Sequence, residues 1–218
     1  MGVVIRDAAA AELPVLQEID VATGQMFRDI GMPEVAEYDP WPLPDLEHSR
    51  AAGLLWVIPG DAGQPVAFLM GSQVDGCLHV EQLSVDMGSA RRGLGRTLLE
   101  HAARRAAADG RPALTLTTFE HVPWNAPYYA RLGFRILDDA EVTPGCARSG
   151  SGRPSSAWTG GRGCACAATS RARFRAGNHP ACCLTAASRA GSGSQPSCDQ
   201  VILPDAETRA NQGWSWTW

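Results

Sequence analysis

ARRGLGRTLLEHAARRA, residues 90–106, crowds two glycines and three arginines into its first seven positions and follows the alternating apolar run Leu78–Val85. Such a junction reads as a strand passing through a glycine loop into a helix. Gly93 and Gly95 carry no Cβ, so a bulky anion can approach the backbone N–H groups closely. The amides and dipole of a helix start favour negative charge there, and Arg91, Arg92 and Arg96 add side chains that reach phosphate oxygens. Two common nucleotide loops do not fit. The chain contains no lysine, which excludes the phosphate loop ending in Gly-Lys-Ser/Thr. The dinucleotide fingerprint needs a third glycine, and Thr97-Leu98 stand in its place.

Outward from this stretch, the chain alternates strands and helices. Val3–Arg6 reads as a strand, and Leu13, Leu16 and Ile19 share one face of a helical run beginning at Asp7. Residues 24–50, broken by Pro33, Pro40, Pro42 and Pro44, read as an interrupted helix and loop. Leu54–Ile58 and Val66–Met70 are strand-like and joined by a Gly/Pro-rich hairpin connection. A strand over 77–85 precedes the helix whose stripe is Leu94, Leu98, Leu99, Ala102, Ala103 and Ala106. A strand over 113–119, a short helix over 125–132 and a strand over 134–137 follow. The expectation is a mixed α/β sheet covered by helices.

Composition changes abruptly at Gly145. Residues 1–145 hold 20 acidic and 11 basic residues and one cysteine, Cys77, for a net charge of −9. Residues 146–218 hold 3 acidic and 8 basic residues and six cysteines, for a net charge of +5. Their large aliphatic and Phe residues number five: Phe174, Leu184, Val201, Ile202 and Leu203. So few apolar groups do not offset the entropy of ordering such a segment. The expected organisation is a globular domain over 1–145 and a low-complexity Ala/Gly/Ser/Arg/Cys-rich tail over 146–218. The total charge of −4 argues against nucleic-acid binding. No apolar run reaches membrane-spanning length, and no basic start with a long apolar run suggests export. A soluble cytoplasmic protein is expected. Cys-x-Cys at 164–166 and Cys-Cys at 182–183 do not match the usual zinc ligand pairs, so no metal is expected.

The glycine loop, together with Asn125-Ala126-Pro127-Tyr128-Tyr129-Ala130-Arg131-Leu132-Gly133-Phe134, resembles the GNAT superfamily of acyl-CoA-dependent N-acetyltransferases. That family carries Gln/Arg-x-x-Gly-x-Gly/Ala at the helix after the fourth strand, then Tyr-x-x-x-Gly-Phe. Here Ala90 stands at the Gln/Arg position with arginine one step later, while Tyr129, Gly133 and Phe134 match. The resemblance covers about residues 3–140. It implies a three-layer fold, a central mixed sheet flanked by helices, and acetyl-CoA as co-substrate with its pyrophosphate on the amides of Arg91, Arg92, Gly93, Leu94, Gly95 and Arg96. Leu83, Ser84 and Val85 would pair through their backbone with the pantetheine arm, and Asn125 would contact it or nearby cofactor atoms.

The resemblance also implies the chemistry. Glu81 stands where many members carry a proton-abstracting carboxylate; the alternative is a solvated or ion-paired strand residue. Alternation places His79, Glu81 and Leu83 on one face. Tyr129 matches the family tyrosine that protonates the departing thiolate, or else it is a packed core aromatic. Tyr128, its neighbour on another helix face, is expected to pack. Leu83 or Ser84 N–H would hold the oxyanion. His121 and Glu120 are auxiliary base or binding groups or merely solvated, His48 and His101 are surface or helix residues, and Trp124 walls the acyl site or caps a helix. Residues 23–32 shape the acceptor pocket. The implied reaction is acetyl transfer to a small-molecule primary amine, in a chain for which a homodimer is considered. Acetylation of a peptide amine and acyl-CoA binding without catalysis are the alternatives.

The tail departs from the family ending, which is a charged helix and a seventh strand. GC-rich codons chosen for 145–170 and read in a shifted frame encode such a helix, then Val-Arg-Leu-Arg-Arg. A slip of reading frame near Gly145 is therefore expected, leaving the final strand missing and a sheet edge open.

Overall fold

The fold was obtained as a computed structural model, which describes residues 2–120, 122–137, 143–145 and, as backbone alone, 164–170. The chain divides into two compact units, residues 1–188 and 189–218, and every described residue belongs to the first.

Seven strands form one sheet in the order β1-β2-β3-β4-β5-β7-β6: β1 (Arg6–Asp7), β2 (Leu55–Pro59), β3 (Pro65–Val74), β4 (Cys77–Val85), β5 (Ala113–Phe119), β6 (Arg135–Ile136) and β7 (Cys164–Ser170). Only β4 and β5 run parallel; the other neighbours are antiparallel. The parallel pair requires a crossover, and helix α4 (Leu94–Ala108) supplies it.

Each face of the sheet closes one core. On one face α4 contributes Leu94, Leu98, Leu99, Ala102 and Ala106 against Trp56, Leu69, Leu78, Val80, Leu114 and Leu116. On the other, helix α1 (Leu13–Gly24) and helix α3 (Leu43–Ala51) bring Leu13, Leu16, Ile19 and Leu46 onto Leu55, Val57, Phe68 and Met70. Odd and even positions of β2 thus serve opposite layers, as a two-residue repeat demands.

Several boundaries differ from the sequence expectation. The prolines of residues 24–50 open helices rather than only breaking them: Pro33 begins α2 (Pro33–Ala36) and Pro44 lies in the first turn of α3. A missing N–H costs nothing in a first turn, where it lacks an acceptor anyway. The first strand is two residues long, and Ala10–Glu12 is a 3-10 turn ahead of α1. Helix α5 spans Ala126–Arg131. The closing strand expected to be missing is present: β7 lies between β5 and β6, pairing Ala113–Phe119 with Ser170–Cys164 in reverse. Backbone pairing makes little demand on side chains, and two neighbours with unpaired edges accept an extended segment between them.

Candidate active site

The site begins where the sheet splits. β4 pairs with β5 only from Leu78 to Val80, opposite Leu114 to Leu116, but pairs with β3 as far as Val85. From Glu81 to Val85 the side of β4 facing β5 is therefore unpaired by its neighbour. Exposed backbone donors and acceptors in such a cleft suit a ligand bearing amides of its own.

Glu81 marks the point of divergence. The β3–β4 hairpin turns at Asp75-Gly76, both at positive φ (47° and 81°), and pairs Val74 with Cys77, Ser72 with His79 and Gly71 with Val80. The next pair is Met70 with Gln82, so Glu81 is the extra residue of a β-bulge. Gly71 makes the approach feasible, because a Cβ there would lie 3.1 Å from Leu78 Cδ1 and 3.3 Å from the His79 carbonyl oxygen.

The bulge corrects one expectation about the strand's faces. His79 lies with Ser72 and Glu81, but Leu83 has moved to the opposite side. It packs with Val85 against the α4 core, near Gly95. One inserted residue reverses every side chain beyond it. Gln82 and Ser84 consequently face α1: Gln82 Nε2 donates to Ser84 Oγ at 2.8 Å, Thr23 Oγ1 donates to the same oxygen at 3.2 Å, and Trp41 Nε1 donates to Gln82 Oε1 at 3.4 Å. Ser84 is 2% exposed, so its hydroxyl belongs to this network and its backbone alone faces the cleft.

Electrostatics distinguish the polar residues of β4. Burial pushes the Glu81 carboxyl above the usual range, and the Ser72 hydroxyl, donating to Oε1 at 2.5 Å, pulls it partly back. The net shift makes the Glu81 carboxylate more basic than one in water. His79, 1% exposed, is pushed down to about 4 by burial and is neutral at pH 7. Its Nδ1 lies 2.9 Å from Thr115 Oγ1.

The glycine loop forms the second wall. Arg91 (φ 61°) and Gly93 (φ 76°) both take left-handed backbone, and Gly93 caps α4. The first helical bond runs from Thr97 N to the Gly93 carbonyl, 3.0 Å, so the amides of Leu94, Gly95 and Arg96 precede the ladder and lack acceptors within it. Leu94 is buried in the core and contributes its amide only. Arg91 and Arg92 are exposed and form no ion pair among the described residues, whereas Arg96 is held by Glu100 at 2.7 Å.

Helix α5 closes the third side. Its N-cap is Asn125, whose carbonyl accepts from the amides of Tyr128 (2.8 Å) and Tyr129 (3.0 Å). The Asn125 side chain makes no capping bond and is left for other partners. Tyr129 packs edge-on to Tyr128 (5.4 Å) and Phe134 (5.5 Å). Burial pushes its phenol upward, with the neighbouring Tyr128 adding to the effect, so it remains a proton donor. Tyr128 packs against the α4 core as expected, with its hydroxyl beside Gly95. A Cβ on Gly95 would lie 3.1 Å from it.

The stretch 23–32 meets the site through Phe27, whose ring lies 5.4 Å from Phe119 at the end of β5 and 5.7 Å from Trp124 just before Asn125. His101 is a residue of α4, half-buried, its ring centre 5.1 Å from that of Trp56 in an edge-on contact. Glu120 is exposed, and His121 lies outside the described residues. Among the described residues no group of three or more His, Cys, Asp or Glu converges as a metal site, and no helix is long and apolar enough to cross a membrane. Sequence reasoning missed Ser72, Gln82 and the Phe27–Phe119 contact. For Ser72 a signal existed: Asp75-Gly76 is a two-residue hairpin turn, and counting back from it places Ser72 opposite His79.

Comparison with known proteins agrees with this geometry. The peptidyl-lysine N-acetyltransferase YjaB of Escherichia coli K12 is 32% identical over 88 residues, 40% of this chain and 54% of the relative. This chain thus spans about half the length of the curated relatives it matches. A GNAT-family acetyltransferase from Staphylococcus aureus superposes with a TM-score of 0.60 at 12% identity, over 78% of this chain and 99% of that one. The PaiA N-acetyltransferase from Thermoplasma acidophilum, solved with coenzyme A, gives 0.57 at 13% identity over the same shares. At such identities the likeness establishes the fold. The sequence profile described as the Acetyltransferase (GNAT) family matches residues 17–134, more than half of the chain. With the splayed β4 and the glycine-capped α4 in place, this chain belongs to the GNAT acetyltransferase family.

Proposed function

We propose that this chain transfers the acetyl group of acetyl-CoA to a primary amine of a small molecule, by direct attack in a ternary complex. The observation that carries this reading is the unpaired run of β4 from Glu81 to Val85 beside the open amides of α4. The pantetheine amides would pair with the backbone of Leu83, Ser84 and Val85, and Asn125 would add a side-chain contact. The pyrophosphate would rest on the amides of residues 91–96, with Arg91 and Arg92 supplying charge.

In the reaction the amine nitrogen attacks the thioester carbonyl carbon. The C–N bond forms, the C–S bond breaks, and one proton passes from nitrogen to sulfur overall. Glu81, directly or through water, takes the proton from the amine. The N–H of Leu83 or Ser84 holds the transient oxyanion. Tyr129, kept protonated by burial, gives its proton to the leaving thiolate. Products are the N-acetyl amine and coenzyme A.

A second reading, acetylation of a peptide lysine, draws support from the relative named as a peptidyl-lysine N-acetyltransferase. Thiol release measured over small amines and lysine peptides separates the two. With the accepted amine, Glu81→Gln is expected to lower kcat about 10²–10⁴-fold, the usual range for a general base, and to abolish the rise of rate with pH. Tyr129→Phe is expected to lower kcat by about 10–10²-fold, while coenzyme A affinity stays within about threefold. Full activity in both variants overturns the acid and base assignments. Coenzyme A binding without turnover of any amine identifies a binding domain instead.

A further inference from the structure

Tyr128 stands outside the roles given above, yet its placement is specific. Its hydroxyl lies over the first turn of α4, close enough to Gly95 that any side chain there would meet it at 3.1 Å. Gly95 is buried between this hydroxyl and the side chains of Leu83 and Val85, at 3.6 and 3.8 Å from its Cβ position. The amide of Gly95 belongs to the turn whose N–H groups lack helical acceptors. Arg131 and Arg96 favour the ionised phenol electrostatically and Glu100 opposes it. Three walls therefore meet at one point: the open half of β4, the start of α4 and helix α5. The phenol keeps its proton, because burial raises its pKa more than these arginines lower it.

Resting on the acetyl-CoA reading, we propose that the Tyr128 hydroxyl donates a hydrogen bond to the pyrophosphate of acetyl-CoA. Helix α5 then grips the co-substrate at two places, Tyr128 at the phosphate end and Asn125 at the pantetheine. Tyr129 packs edge-on to Tyr128, so occupation of the phosphate cradle also orients the proton donor. The glycine at 95 acquires a second reason: besides freeing the helix start, it leaves room for this hydroxyl.

Tyr128→Phe tests the assignment, since it keeps the ring contact with Tyr129 and removes only the donor. Calorimetric affinity for coenzyme A is expected to fall roughly tenfold, in line with a hydrogen bond to a charged acceptor. Affinity for pantetheine, which has no pyrophosphate, is expected to stay the same. Gly95→Ala presses on the hydroxyl and is expected to weaken coenzyme A binding more in the native chain than in one already carrying Tyr128→Phe. Equal loss for both ligands, or none for either, overturns the proposal, as does additivity of the two substitutions. These are binding measurements, so lack of turnover with amines would count against the acetyl-transfer reading alone. A native chain that fails to bind coenzyme A would overturn both.

Discussion

The two halves of β4 differ more than their sequences suggest. From Cys77 to Val80 every residue is buried, and Leu78–Val80 pair with strands on both sides. From Glu81 to Val85 the same strand keeps β3 but loses β5, and four of its five residues are only partly buried. The change occurs at one inserted residue. The first half shows what holds the sheet together, and the second shows how backbone left unpaired becomes available to a ligand. Stability and activity should therefore separate along a single strand.

The largest effect on stability belongs to the closed half. Leu78 is fully buried under α4, and Leu78→Ala is expected to cost about 2–5 kcal/mol, read by urea denaturation. The activity of the protein that remains folded should change little. Comparable loss of kcat per folded molecule would break the separation.

The next effect concerns β5, which pairs with β4 over only three residues but with β7 along its whole length. The tail that supplies β7 reads Cys-Ala-Cys-Ala-Ala-Thr-Ser, all small residues. The composition break supports our proposal that the reading frame slips near Gly145. A chain with residues 146–170 replaced by the shifted-frame ending, a charged helix and Val-Arg-Leu-Arg-Arg, is expected to melt several degrees higher than the chain as given. An equal or lower Tm, or a gene whose shifted frame lacks this ending, removes the frame-slip proposal.

A smaller effect sharpens the comparison at Glu81 itself. Its folded pKa is raised, so folding favours the protonated form. The associated stability is fully present below the unfolded value, about 4.3, and is lost as pH rises through the folded pKa. Glu81→Gln should thus gain in stability over the native chain as pH rises through that folded pKa, read as a higher Tm. The gap should close below about pH 4. A gap independent of pH would mean that Glu81 ionises in the fold as it does in water.

The smallest effect lies at the rim. Arg96 and Glu100 form an exposed i,i+4 pair, so Glu100→Ala should change stability by less than about 0.5 kcal/mol. Released from its partner, Arg96 should bind coenzyme A slightly more tightly at low salt, an advantage that fades as salt screens it. A change in Tm beyond about 2 °C would show that this pair carries structural weight.

The sequence by itself determined the order of strands and helices as far as β6, the glycine-capped start of α4 and the tyrosine segment of α5. These are local properties, written in apolar period, missing Cβ atoms and turn residues such as Asp75-Gly76. The helices of residues 33–51 were obscured because proline reads as a breaker unless it is known to occupy a first turn. Tertiary structure alone decided three things. A bulge at Glu81 turned Leu83 toward α4 and Ser84 toward α1, because register is set by the partner strand as well as by the strand's own pattern. Phe27 came to rest on Phe119 and Trp124 across a separation of about ninety residues. The Tyr128 hydroxyl came to lie beside Gly95 in the first turn of α4, a meeting of two motifs that neither one specifies alone.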